Sequence, residues 1–129
     1  MFFSVAAALI VDGDKFMICQ RPAYKTRGLL WEFPGGKTEQ GETVEQALVR
    51  EIKEELDADI ALDGLFAKVR HVYPDITIDL YLFKARLLSG YRKIEHEDIA
   101  WITPENIDEY EFCPADKDIL IKIKENFGK

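Results

Sequence analysis

No apolar run in this sequence approaches the roughly 20 residues needed to span a bilayer. The longest, Val5 to Val11, is strand-sized. The first residues lack the basic region that opens a secretory signal, so the cytoplasm is the expected location. Cysteine is scarce: Cys19 and Cys113 stand far apart and fit no metal or redox spacing, which predicts two reduced thiols. Two histidines, His71 and His96, are too few for a histidine-based metal site. His71 reads as structural, and His96 draws interest only through its acidic neighbours. Positive charge is also in deficit, with a formal net charge of −7 at pH 7 and no Lys/Arg cluster. That balance disfavours a nucleic-acid polymer as partner. It is compatible with a small polyphosphate whose charge is screened by metal ions. No repeat, low-complexity tract or linker interrupts the 129 residues, so residues 1–129 read as one domain.

What is present is an alternation of short strands and two helices. Phe2 to Val11 reads as a buried strand, Asp12-Gly13-Asp14 as a turn, and Lys15 to Arg21 as the partner strand of a hairpin. Pro22 to Leu30 is a polar loop. Trp31-Glu32-Phe33 is a short extended piece stopped by Pro34-Gly35-Gly36. Thr43 to Asp57 is the clearest helix, with Thr43 as N-cap and Gln46 completing a capping box. Ile60 to Val72 and Ile76 to Leu87 read as strands joined around Pro74-Asp75, and Ile99 to Ile102 as another. Pro104 to Tyr110 predicts a short helix. Pro114 to Phe127 predicts a C-terminal helix with Ile119, Leu120, Ile123 and Phe127 at helical spacing. The fold class is α+β, or a mixed sheet flanked by helices.

The helix from Thr43 carries the chemistry. At about 100° per residue, Val44, Leu48, Ile52 and Leu56 form the core stripe, while Gln46, Arg50, Lys53 and Asp57 fall on the solvated side. Glu51, Glu54 and Glu55 are expected at one edge of the apolar arc rather than with the polar residues. Like charges at i,i+4, such as Glu51 and Glu55, repel by roughly 0.2–0.5 kcal/mol even when exposed. Near the core, desolvation adds to that cost. A divalent cation relieves it, and hard cations such as Mg²⁺ take oxygen ligands and keep positions open for phosphates. Ahead of the helix, Gly35-Gly36 lets backbone approach a ligand closely.

Spacing joins these pieces. Gly36-x5-Glu42-x7-Arg50-Glu51-Ile52-x-Glu54-Glu55 resembles the Nudix box, G-x5-E-x7-R-E-U-x-E-E-x-G-U, where U is a bulky aliphatic. Asp57 replaces the box's second glycine and Ala58 its last aliphatic. A non-glycine residue at the helix exit calls for a left-handed turn, which Asp tolerates better than most. Trp31 to Lys37, Gly41-Glu42-Thr43, Arg21, Tyr73-Pro74-Asp75, and Glu95 followed by Trp101 are similar to the MutT branch. Pro114-Ala115-Asp116 is similar to the related CTP pyrophosphohydrolases. The resemblance spans nearly the whole chain and implies the Nudix fold, a mixed β-sheet sandwiched between α-helices.

It also implies a reaction: water attacks a nucleoside triphosphate, giving a monophosphate and pyrophosphate. Glu51, Glu54 and Glu55 would bind Mg²⁺ (or Mn²⁺ as a substitute), with the Gly35 carbonyl as a further ligand. Glu95, in a loop before a strand, is a candidate further ligand or general base, although Glu51 or Glu55 is preferred as base. Arg50 would orient a carboxylate and Glu42 would tune the metal shell. Arg21 matches a phosphate-binding position, and Lys37 could add charge. Phe33 and Tyr73 are candidates to stack on the base. Asp116 falls where a purine-reading relative has Asn. An ionised Asp only accepts hydrogen bonds, so Asp116 suits a base with donors on its edge, cytosine and oxidised guanine alike. The leading reading is a MutT-like enzyme that cleans the nucleotide pool. Hydrolysis of a nucleotide sugar or dinucleotide, and a non-catalytic nucleotide-binding regulator, are the alternatives. Monomer and homodimer are both compatible with the sequence.

Overall fold

The computed structural model describes residues 1–128. Among them are seven strands: β1 (Phe2–Asp12), β2 (Lys15–Gln20), β3 (Trp31–Glu32), β4 (Gly35–Lys37), β5 (Ile60–Val72), β6 (Thr77–Leu87) and β7 (Asp98–Ile102). The helices are α1 (Val44–Leu56) and α2 (Lys117–Asn126). No helix among the described residues is long and apolar enough to cross a membrane.

The sheet is mixed. β1 runs parallel to β6, from Phe2 opposite Thr77 to Ile10 opposite Ala85, and β5 closes that side antiparallel to β6. β1 is the central strand, and its run Ala6–Ile10 is buried on both faces. Strands covered on both sides read as continuous apolar runs rather than alternating ones. Ala6, Ala8 and Ile10 pack under α1 with Leu48, Ile52 and Leu56. Ala7 and Leu9 face the opposite layer, with Phe16, Phe33 and Phe112 and with Ile119, Leu120 and Ile123 of α2. The small residues of β1 let both layers approach closely, giving a sheet between two helices in an α+β fold.

The expected hairpin of β1 and β2 is short. The strands pair only at Val11 opposite Phe16 and Asp12 opposite Lys15. Beyond this point β2 bonds to β3 and β7, and β1 bonds to β4. The divergence leaves room for the cavity described below. Pro34-Gly35-Gly36 does not simply end an extended piece. Gly35–Lys37 is itself a strand, because the free edge of β1 needs hydrogen-bond partners.

The helix ends follow their capping residues. Thr43 accepts from the Gln46 amide and the Gln46 side chain accepts from the Thr43 amide, the reciprocal capping box. Asp57 ends α1 at φ 48°, ψ 44°, the left-handed exit that the sequence called for. The short helix expected after β7 is a 3₁₀ helix over Pro104–Glu109. The C-terminal helix begins with a 3₁₀ turn over Pro114–Asp116 before α2 proper.

Candidate active site

β4 lies antiparallel to β1, with Gly36 opposite Ala6 and Gly35 opposite Ala7. This sets the two glycines beside the acid-bearing face of α1. Gly35 has φ +152°, and a Cβ there would collide with the Ala6 carbonyl oxygen. A Cβ on Gly36 would stand 2.5 Å from the carboxyl carbon of Glu51. The glycine pair is therefore a cradle shaped to the Glu51 carboxylate.

Arg50 ties the acids together. It grips Glu42 through two N–H groups, Nε to Oε2 at 2.7 Å and Nη2 to Oε1 at 2.9 Å. Its Nη1 donates to Glu51 Oε1 at 2.9 Å and reaches Glu54 at 3.4 Å, and Nη2 also donates to the Lys37 carbonyl. Forked contacts of this kind match guanidinium geometry and hold a carboxylate in orientation. The Arg50 hydrogen bonds, helped by the Glu39 amide, pull the Glu42 carboxyl down to about 2. Glu51 shifts the other way, because burial raises it more than Arg50 lowers it.

The three helix acids are not equivalent. Glu55 is buried and Glu51 half-buried, but the Glu54 side chain is 55% exposed. The expectation that all three lie beside the core fails for Glu54. Its azimuth places it outside the arc covered by β1 and β4. Among the described residues no three His, Cys, Asp or Glu side chains are already gathered as a cage. Burial pushes the Glu55 carboxyl up to about 7. Its Oε1 lies 3.2 Å from His96 Nε2, and its Oε2 is buried with no hydrogen-bond partner. A buried carboxylate oxygen left without a donor is costly, and a cation bound beside it would satisfy it. The Gly36 cradle and this oxygen fit a hard divalent ion, which prefers oxygen ligands.

Neither His96 nor Glu32 carries a local sequence signal for its place in the site. His96 sits in an acidic run that reads as a surface loop, yet its side chain is buried. It bridges Glu55 and Glu32, whose Oε2 lies 3.7 Å away. Burial alone would lower its pKa, but Cys19, Glu32 and Glu55 outweigh that and hold it up to about 12. Glu32 in turn takes Arg21 Nη1 at 3.0 Å on its other oxygen. The chain Glu55–His96–Glu32–Arg21 thus links the acidic helix to the opposite wall.

These groups open onto one cavity of about 780 Å³, lined by Gly35, Gly36, Glu51, Glu55, Arg21, Tyr73 and Asp116 among others. Lys37 and Glu95 also border it, both exposed. The Lys37 ammonium sits 3.8 Å over the Phe3 ring. Phe33 touches the cavity but is a core residue, with ring centres of Phe16 and Phe112 each 6.0 Å away. Tyr73 is nearly buried, and its hydroxyl accepts from the Ala115 amide at 2.9 Å. Asp116 is buried, and its side chain does not cap the helix that follows. Burial, reinforced by Glu32, raises its carboxyl well above the usual range. This changes the expectation for that residue. A neutral carboxyl both donates and accepts, as an asparagine side chain does.

A mixed sheet between helices, with an acidic helix laid over a Gly-Gly strand beside a nucleotide-sized cavity, defines a Nudix-type protein. The chain belongs to the NUDIX domain family, whose model matches residues 5–122. It is 35% identical over 117 residues to the CTP pyrophosphohydrolase of Escherichia coli, covering 90% of this chain and 87% of that one. It is 32% identical over 115 residues to the 8-oxo-dGTP diphosphatase of Escherichia coli, covering 88% of each. The solution structure of the E. coli ORF135 protein superposes with a TM-score of 0.85 at 32% identity, covering 96% of this chain and 89% of that one. Nudix hydrolases generally need a divalent metal, in keeping with the donor set here.

Proposed function

We propose that the chain is a nucleoside triphosphate pyrophosphohydrolase that releases a nucleoside monophosphate and pyrophosphate, with Mg²⁺ as its metal and Mn²⁺ as a substitute. The observation that carries this reading is the unpartnered, buried Glu55 oxygen beside the Glu51–Gly36 cradle, at the end of a cavity walled by Arg21. Relatives named for hydrolysing CTP and 8-oxo-dGTP support it.

Glu51, Glu54, Glu55 and the Gly35 carbonyl would hold the metal. Exposed Glu54 is the freest of the acids to turn toward it, and Glu95 stands at the rim as a further ligand. When bound, a divalent ion lowers the pKa of the attacking water and neutralises charge on phosphoryl oxygens. The rest falls to the chain. Arg50 fixes the Glu51 carboxylate, and His96 fixes Glu55. The water's proton passes to a helix acid, half-buried Glu51 or buried Glu55, rather than to exposed Glu95. Arg21, braced by Glu32 and the Thr26 carbonyl, meets phosphate, and Lys37 adds charge at the rim. Asp116, whose burial favours the neutral carboxyl, reads the edge of the base. It can donate to O6 and accept from N1–H of a guanine, or donate to N3 and accept from the amine of cytosine. Both 8-oxo-dGTP and cytidine triphosphates therefore fit, and removing such modified nucleotides from the pool is the proposed role.

The test is a panel of 8-oxo-dGTP, dGTP, CTP, 5-methyl-dCTP and ADP-ribose with Mg²⁺, ranked by kcat/KM with product analysis. Pyrophosphate from a triphosphate is expected. Inorganic phosphate alone, or preference for ADP-ribose, would refute the reading.

A further inference from the structure

The loop after β2 forms one wall of the cavity and contributes Arg27 to it, beside Arg21 and Lys25. The guanidinium carbon sits 3.7 Å above the centre of the Tyr73 ring, and Nη2 donates to Asp75 Oδ1 at 3.2 Å. Tyr73 is held on other sides as well, by the Ala115 amide at its hydroxyl and by His71 edge-on at 4.5 Å. The ring that the sequence marks as a stacking platform is therefore already covered, and only 9% of Tyr73 is exposed. Tyr24 on the same loop also borders the cavity but is 82% exposed, so the planar group held in place on this wall is the Arg27 guanidinium, fixed by Tyr73 and Asp75.

The backbone presents Arg27 firmly. Arg27 and Leu29 have φ +59° and +66°, left-handed conformations that a residue with a side chain adopts only under constraint. Gly28 between them lies against the carbonyls of Pro22, Ala23 and Lys25, too close for a Cβ. Arg21 Nε pins the Thr26 carbonyl next door at 2.9 Å. Such strain persists only where contacts hold it, and here those contacts include Tyr73 and Asp75.

We infer that Arg27 is a specificity-determining residue: its guanidinium, backed by Tyr73, is the plane on which the nucleobase stacks. This rests on the nucleotide reading above. Guanidinium is planar, weakly hydrated and stacks on aromatic faces, and a cation between two π-systems is attracted by both. Tyr73 occupies one face, which leaves the other for a base while Asp116 reads its edge. Lysine would supply the charge without the plane.

The experiment is steady-state kinetics of Arg27→Ala, Arg27→Lys and Arg27→Gln on the triphosphate that the wild-type enzyme turns over fastest. Ala and Lys should each raise KM roughly tenfold, equivalent to about 1.4 kcal/mol, with kcat nearly unchanged. Gln, which keeps a planar head, should recover part of the loss. A Lys variant with wild-type KM would place the charge on phosphate and overturn the stacking role. A lowered KM in the Ala variant would mean that Arg27 merely blocks Tyr73, and an unchanged KM would also overturn the proposal. In wild-type protein, the Arg27 Nε–H resonance should move upfield on adding the corresponding nucleoside monophosphate but not ribose 5-phosphate. No such shift counts against the proposal without recourse to a variant. A wild-type protein that hydrolyses no nucleotide would sink both readings, whereas failure of the Arg27 tests in an active enzyme would sink this one alone.

Discussion

Gly36→Ala should abolish most turnover while leaving the fold intact. The added Cβ would stand 2.5 Å from the Glu51 carboxyl carbon and 2.6 Å from Oε2, about 1 Å short of ordinary contact. The backbone of Gly36 carries no left-handed φ, so alanine is conformationally acceptable there. What must move is the end of a flexible, half-buried side chain, and only Arg50 resists the move. A 1 Å misplacement of a catalytic group costs on the order of 100-fold in rate, or about 2.7 kcal/mol of barrier. Pyrophosphate release at saturating Mg²⁺ should therefore show kcat reduced about 100-fold, with a melting temperature within a few degrees of wild type. Gly35→Ala is the contrast. It combines a glycine-only φ of +152° with a clash against the Ala6 backbone, where β4 pairs with the central β1. It should cost about 3 kcal/mol or more in stability and show a clearly lowered melting temperature. Wild-type kcat in Gly36→Ala would refute the cradle, and equal destabilisation by both alanines would refute the division between site and scaffold.

Glu54→Gln should lower kcat by orders of magnitude and leave the circular dichroism and melting curve unchanged, since the side chain is largely exposed; near-normal turnover at saturating Mg²⁺ would remove Glu54 from the metal site. Glu55 makes stability depend on pH in metal-free protein. Its folded pKa is raised from 4.5 to about 7 by burial, so the folded state binds the proton more tightly than the unfolded one. Stability should then fall as pH rises from about 4.5 to 7, and Glu55→Gln should flatten that slope in thermal melts; a variant as steep as wild type would contradict the assignment. Asp116→Asn should keep kcat/KM within a few-fold, because burial favours the neutral carboxyl, which offers the donor and acceptor of an amide. Asp116→Ala should lose tenfold or more, and equal losses in both would show that the ionised form is used.

Local signals made α1 readable from sequence. Thr43 and Gln46 announced its start, the Val44–Leu48–Ile52–Leu56 stripe its buried face, and Asp57 its left-handed exit. The Gly36-to-Glu55 spacing carried the site because both glycines and acids lie within one short stretch of chain. The misses arose where strand pairing brings distant residues together. β4 read as a turn because two glycines seldom make a strand, and only the open edge of β1 supplies its partners. Glu32 and His96 meet because β2 bonds to β3 on one side and β7 on the other, a pairing with no local signature. Arg27 over Tyr73 depends in the same way on the β5–β6 turn folding back to the loop after β2. Glu54 was misplaced for another reason: helical periodicity gives an azimuth but not the width of the surface that covers it.

Arg50 has a further consequence. The helix must assemble with Glu42, just ahead of it, and with Glu51 and Glu54 crowded on one side, in a chain of net charge −7. Arg50 is the cation among them, bonded to all three, so the acidic surface is tolerated from the moment the helix forms. Small zinc domains draw the charge that lets them fold from a metal; here a side chain of the protein supplies part of it. The acids that would hold an ion are thus braced by the protein's own cation, whether or not an ion is bound.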